Sequence, residues 1–172
     1  LGLIYPGKFH FGTDAAERIR QLLADPETPL DPIAELMLFC AARADLVSRV
    51  IRPALEIART VVGDRFTDST IAYQGVARGL GVEDVERVNL WATDGLVPDL
   101  TIMLDLPVGT STQREGEVDR MENEGELFQA RVRRGLLDLA ARDSHRYCVI
   151  DATGSVEEVA DLVWACLPDD FR

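Results

Sequence analysis

Gly95–Asp105 reads GLVPDLTIMLD, and its centre, LTIML from Leu100 to Leu104, is a short apolar run between Pro98-Asp99 and Asp105. A run of that length, bounded by turn residues, is the pattern of a strand buried on both faces of a parallel sheet. On either side of it, apolar runs alternate with longer segments of helical period. That alternation predicts the α/β class: one domain over residues 1–172, with a parallel β-sheet flanked by helices.

Upstream, Leu1 to Tyr5 reads as a strand ended by Pro6-Gly7. Asp14 is placed to cap a helix, with Glu17 three residues on and Ala15, Ile19, Leu22 and Leu23 along one face. Asp31-Pro32 starts a second helix, a cap followed by proline at the first helical position. Its expected buried side is Ile33, Leu36, Met37, Cys40 and Ala44, continuing through Val47 and Val50 until Pro53 breaks it. Thr60 to Gly63 reads as a buried strand, and Asp68 to Ala77 and Val82 to Thr93 as helices. Downstream, Pro107 to Gly116 is a polar loop. Glu124 to Ala141 is a helix with Phe128, Val132, Leu136 and Leu139 inward. Tyr147 to Ile150 is a strand. Ser155 and Glu158 form a capping box for a last helix that packs Val156, Val159, Val163 and Leu167.

The formal net charge of −12 argues against nucleic acid as a partner, because phosphate backbones are bound by surplus Lys and Arg. A small phosphorylated ligand stays compatible with it, since a few arginines in one cleft suffice. No apolar run approaches the roughly 20 residues that span a bilayer. Cys40, Cys148 and Cys166 are odd in number and far apart, so the expectation is buried thiols in a reducing cytoplasm, with no disulfide framework or metal pair.

In open α/β sheets, ligands lie beyond the carboxyl ends of the strands. Asp64-Arg65, Asp105 and Asp151 fall there. An Arg beside an Asp suits a phosphate and its metal, and a structural ion pair is the plain alternative. Phe39 and Arg43 stand four apart on one helix face, where a ring and a guanidinium can stack on a base and bind its edge. Core packing and a surface ion pair are the alternatives for these two. The loop at about 107–122 carries Gly109, Arg114, Gly116 and Asp119-Arg120, the makings of a lid over a cleft, and a solvated connection is the reading that composition alone favours. Arg131, Arg133 and Arg134 read as a solvated face. His10 and His145 have no metal-ligand spacing, and Ser48, Ser69 and Ser155 lack the context of a hydrolase nucleophile.

Taken in order, these stretches resemble the thymidylate kinase family. The likeness is carried by AELMLFCAARADLVSRVIRPAL (Ala34 to Leu55), VVGDRFTDSTIAYQG (Val61 to Gly75), GLVPDLTIMLD, DRME (Asp119 to Glu122), FQARVRRGLLDLA and the VIDA of Val149 to Ala152. It runs from about Thr13 to the C-terminus, and the slim loop between Asp105 and Asp119 looks most like actinobacterial members. The resemblance implies a P-loop NTPase-like nucleoside monophosphate kinase fold and transfer of phosphate from ATP, with Mg²⁺, to dTMP to give dTDP. It implies that Phe39 stacks on thymine, Arg43 binds its edge and Ser69 lies near the base. Tyr73 and Gln74 would line the deoxyribose, where Tyr73 disfavours a 2′-hydroxyl. Asp64, also the implied metal ligand, and Arg65 form the DR pair, and Arg65 reaches the phosphates. Arg114 and Arg120 belong to the lid over ATP, Asp151 and Ala152 to the ATP side. It also implies a homodimer formed through helices that include Ala34 to Val50.

One part of the family pattern is not matched. The family opens with a strand and a P-loop, GxxxxGK[ST], whose N–H groups cradle phosphate. Gly2 to Lys8 spells GxxxxGK, but Phe9 replaces the metal-binding Ser or Thr and Pro6 removes an N–H donor. Leu3 to Gly7 fits better as the family's second strand and following turn, with Ile4 and Tyr5 in place of an Arg and a Glu. The expectation is that the sequence is part of a longer chain. The alternative is a catalytically impaired thymidine-nucleotide-binding or regulatory paralogue without a working ATP site.

Overall fold

The computed structural model describes residues 13–109 and 124–169. Helix α1, Asp14–Ala24, is capped by Thr13 and not by Asp14: the Thr13 hydroxyl accepts the Ala16 N–H at 3.1 Å. Thr13 has the extended backbone of a cap, while Asp14 and Glu17 sit inside the first turn, where acids favour the positive end of the helix dipole. α2, Pro32–Leu46, starts where expected, with the Asp31 carboxylate accepting the Ile33 N–H at 2.8 Å.

Pro53 does not end this segment. α2 passes into a π turn, Val47–Ile51, and then into α3, Arg52–Glu56. The Arg52 N–H bonds to the Val47 carbonyl five residues back. That wider turn falls just before Pro53, where the ring would otherwise meet the preceding turn. The buried stripe also differs from the expectation. Leu36, Cys40 and Val47 are buried, but Ile33 and Met37 are 56 % and 47 % exposed. Glu35 takes the inward position at 1 % exposure. α2 is apolar around most of its circumference, so periodicity alone could not choose its buried face.

Thr60 to Gly63 is not a strand here; Val62 is exposed, and among the described residues the sheet has two strands. A short apolar run becomes a strand only when a neighbour pairs its backbone, and 60–63 has no such ladder among the described residues. The helical stretch after it is α4, Thr67–Thr70, followed by a second π turn, Ile71–Ala77, and α5, Val82–Ala92.

β1, Thr101–Asp105, pairs in parallel with β2, Tyr147–Asp151, in the register Thr101 to Tyr147 and Asp105 to Asp151. α6, Glu126–Arg142, connects them. Its Leu139 and Ala140 join Met103, Tyr147, Leu36, Cys40, Ile71 and Val85 in the main core. Gly135 brings α6 close to the second π turn: a Cβ there would lie 3.0 Å from Val76 Cγ2. α7, Val156–Cys166, has the expected capping box, yet it buries no residue fully. Among the described residues α7 packs mainly on β2, leaving Val156 81 % exposed and Val159, Val163 and Leu167 half-buried.

The cysteine expectation is also corrected. Cys148 of β2 and Cys166 at the end of α7 form a disulfide, with Cα atoms 6.3 Å apart, and only Cys40 is a free, buried thiol. The return of α7 along β2 brings together two residues separated by 18 positions, a distance that hides the pairing in the sequence. Among the described residues, no helix is long and apolar enough to cross a membrane.

Candidate active site

α2 carries Phe39 and Arg43 one turn apart, both half-buried. Arg43 is not the surface ion pair that its exposure in a helix would allow. Its Nη2 donates to the Phe66 carbonyl at 3.1 Å and to Thr70 Oγ1 at 2.7 Å, and its Nη1 donates to Asn89 Oδ1. Its Cζ lies 5.4 Å from the centre of the Phe66 ring. Burial pushes its pKa below the ordinary guanidinium value, opposed by the nearby Cys40 and Asp68. These acceptors are neutral and use three of the five guanidinium N–H groups. A half-buried positive charge thus keeps two unspent donors.

Two of these partners were not legible as site residues. Asn89 is 1 % exposed and is anchored by its own Nδ2 donating to the Val85 carbonyl at 2.8 Å. Its signal was an amide standing four residues from Val85 on the buried face of α5. Thr70, not Ser69, meets Arg43; the two are adjacent in sequence, and only the helix phase separates them.

Tyr73 and Gln74 lie on the second π turn and diverge. The Tyr73 ring packs edge-on against Phe128 at 6.0 Å, and the Arg65 guanidinium lies 5.3 Å from its centre. Gln74 turns inward: its Nε2 donates to Glu35 Oε1 at 2.7 Å, and at 1 % exposure it has no surface for a sugar. Adjacent on one turn, the two side chains thus point in different directions. Arg65 itself has a φ of 65°, in the left-handed region that a branched or long side chain seldom adopts. Asp64 and Arg65 are both exposed, beside Tyr73 and the amino end of α4.

The other strand ends resolve differently. Asp105 is gripped by Arg133 of α6 through two bonds of 2.6 and 2.8 Å, so Arg133 is not simply solvated. Arg131 is exposed, and Arg134 pairs with Asp138 on the outer face of α6. Asp151 accepts from the N–H and hydroxyl of Thr153, first the hydroxyl and then the amide holding its carboxyl below the usual range. The Ala152 N–H is engaged by the Asp105 carbonyl at 3.0 Å, which ties the β2 end to β1. Among the described residues, no cluster of three or more His, Cys, Asp or Glu could hold a metal. Arg114, Arg120, most of the 107–122 loop and Gly2 to Lys8 lie outside the described residues.

The family model for thymidylate kinase matches residues 10–163. The chain belongs to the thymidylate kinase family. It is 48 % identical over 168 residues to the thymidylate kinase of Symbiobacterium thermophilum, covering 94 % of this chain and 78 % of that one. To the thymidylate kinase of Deinococcus radiodurans it is 40 % identical over 161 residues, with 92 % and 78 % covered. Among solved structures it is similar to the crystal structure of thymidylate kinase from Ehrlichia chaffeensis, with a TM-score of 0.71, 31 % identity, and 95 % and 76 % covered. The chain is therefore an enzyme of the nucleoside monophosphate kinase class, with the P-loop NTPase-like α/β fold. Thymidylate kinases use ATP and a divalent metal ion. The relatives compared all carry the kinase name and lend the impaired-paralogue alternative no support.

Proposed function

We propose that the cleft between α2 and the α4–π turn segment binds dTMP, and that the chain transfers the γ-phosphoryl group of ATP to it, giving dTDP and ADP. The observation that carries this reading is Arg43, held by Phe66, Thr70 and Asn89 with two N–H groups unspent beside the half-buried ring of Phe39. A thymine ring fits that arrangement: its face stacks on Phe39, and its O4 accepts from Arg43. Tyr73, with Phe128 behind it, sits on the sugar side and leaves no room for a 2′-hydroxyl. Arg65 lies on the phosphate side. Phosphoryl transfer calls for in-line placement and positive charge on the equatorial oxygens, and little covalent chemistry.

The donor set fits Mg²⁺, which characteristically takes one or two carboxylates and completes its shell with substrate phosphates and water. Asp64, exposed beside Arg65, is the carboxylate that would hold it. The metal, when bound, offsets charge on the phosphates. Arg114 and Arg120 are assigned to the lid over ATP, and the Asp151-Ala152 turn to the ATP side. The domain pairs as a homodimer; the exposed Ile33 and Met37 on α2 support a face that a second copy covers.

The full chain, mixed with dTMP, ATP and Mg²⁺, is expected to release ADP only when dTMP is present. Arg43→Ala is expected to raise KM for dTMP by about 10- to 100-fold, the range of a lost base-edge contact. Absence of dTMP-dependent ADP release, or an unchanged KM in Arg43→Ala, overturns the assignment.

A further inference from the structure

Arg78 follows the second π turn and is coupled to Tyr73 twice. Its backbone N–H bonds to the Tyr73 carbonyl at 2.9 Å, closing the turn that bears the ring. Its guanidinium lies 4.9 Å from the centre of the Phe128 ring, and Phe128 is the aromatic against which Tyr73 packs. The same guanidinium is held by two carboxylates. Nε and Nη2 donate to Glu35 at 3.3 and 3.2 Å, and Nη2 also pairs with Glu124 at the root of α6. Glu35 is 1 % exposed and accepts from Gln74 as well.

Stability alone is a poor account of this cluster. A buried ion pair contributes little beyond what well-packed apolar residues of the same volume would. What it does supply is a fixed geometry: a planar cation pinned at both sides and laid over one ring. Discriminating against a single hydroxyl needs the opposing ring held to within about 0.5 Å. Tyr73 has the exposed Arg65 on one side and Phe128 on the other; Phe128 is packed with Ala72, Ala77 and Val132, and Arg78 is the charged group laid over its ring.

We propose that Arg78 is a positioning residue for Tyr73, and that its clamp on Phe128 sets the enzyme's preference for 2′-deoxy over 2′-hydroxy nucleoside monophosphates. The inference rests on the reading of Tyr73 as the residue beside the sugar.

The test uses the full chain and two probes, dTMP and 5-methyluridine 5′-monophosphate, which differ only at the 2′ position. Kd for each is measured by calorimetry, kcat and KM by ADP release, and melting temperature alongside. Arg78→Lys keeps a cation for Glu35 but loses the planar fork. Its preference for dTMP is expected to fall about tenfold, through KM and Kd with kcat retained. Phe128→Leu, which keeps an apolar core, is expected to do the same. Tyr73→Ala is expected to lose the preference, and adding Arg78→Lys to it should change nothing further, because both act through one ring. If Tyr73→Ala loses the preference while Arg78→Lys and Phe128→Leu keep it and only lower the melting temperature, Arg78 is structural and the inference fails. If Tyr73→Ala itself keeps the preference, the sugar-side reading of Tyr73 fails first.

Discussion

Arg43 donates through Nη2 to Thr70 Oγ1 at 2.7 Å, joining α2 to α4 across 27 residues of chain. The hydroxyl fixes the guanidinium that we assign to the base edge. Thr70→Val keeps the shape and removes the acceptor, leaving a half-buried N–H without its partner, a defect of about 1–3 kcal/mol. KM for dTMP is expected to rise about 5- to 100-fold on that basis. Ser69→Ala, one residue away, is expected to stay within about twofold. Steady-state kinetics on the two variants separates these adjacent positions.

Glu35 is the acceptor for both Gln74 and Arg78 in the interior. Glu35→Ala leaves the buried Gln74 amide without this acceptor and removes one of the two carboxylates that hold Arg78, and is expected to destabilise the fold by about 1–3 kcal/mol. Glu35→Gln retains one acceptor and should cost less. Urea unfolding monitored by tryptophan fluorescence gives both values; equal losses for the two variants would contradict the ion-pair account.

Tyr147 is 8 % exposed, and its phenol oxygen accepts from Arg146 at 2.8 Å. Burial, then the negative charge of Asp68, pushes its pKa well above the ordinary 10.0. In the unfolded chain the phenol ionises near pH 10, while in the folded chain it keeps its proton. This group therefore leaves stability unchanged below pH 10 and lowers it as pH rises further, with a limiting slope of about 1.4 kcal/mol per pH unit. Unfolding free energies between pH 8.5 and 11 should show this decline in the wild type and a shallower one in Tyr147→Phe.

The cysteines make a prediction by labelling. Burial raises the Cys40 thiol above its ordinary pKa, with Arg43 opposing, so little thiolate is present at pH 8. With Cys148 and Cys166 paired, the native chain is expected to react slowly with iodoacetamide. Unfolding without reductant should expose one reactive thiol and unfolding with reductant three, read as mass increments. Three labels without reductant would refute the pairing.

Local features were readable because their causes lie within a few residues. The β1 run, the Asp31-Pro32 start of α2, the Ser155–Glu158 capping box and the inward Phe128, Val132 and Leu139 of α6 all follow from turn chemistry and period. The spacing of Phe39 and Arg43, one turn apart on α2, was of this kind as well. Thr13 displaced Asp14 as a cap by one residue, a choice between two good capping types that the letters alone leave open.

Decisions between distant segments belonged to the tertiary structure. The residues 60–63 are apolar enough for a strand, yet pairing requires a neighbouring backbone that no local pattern supplies. Whether Glu35 or Met37 faces inward was set by Gln74 and Arg78, some forty residues away, through hydrogen bonds that no helical period encodes. Asn89 joined the site because α5 packs on α2, Thr70 in preference to Ser69 because the helix phase turned it to Arg43, and Cys166 met Cys148 because α7 folds back on β2. The sequence by itself determined the family and most of the main elements. Which side chains touch was decided by packing, since a contact between distant residues depends on the summed orientation of every element between them.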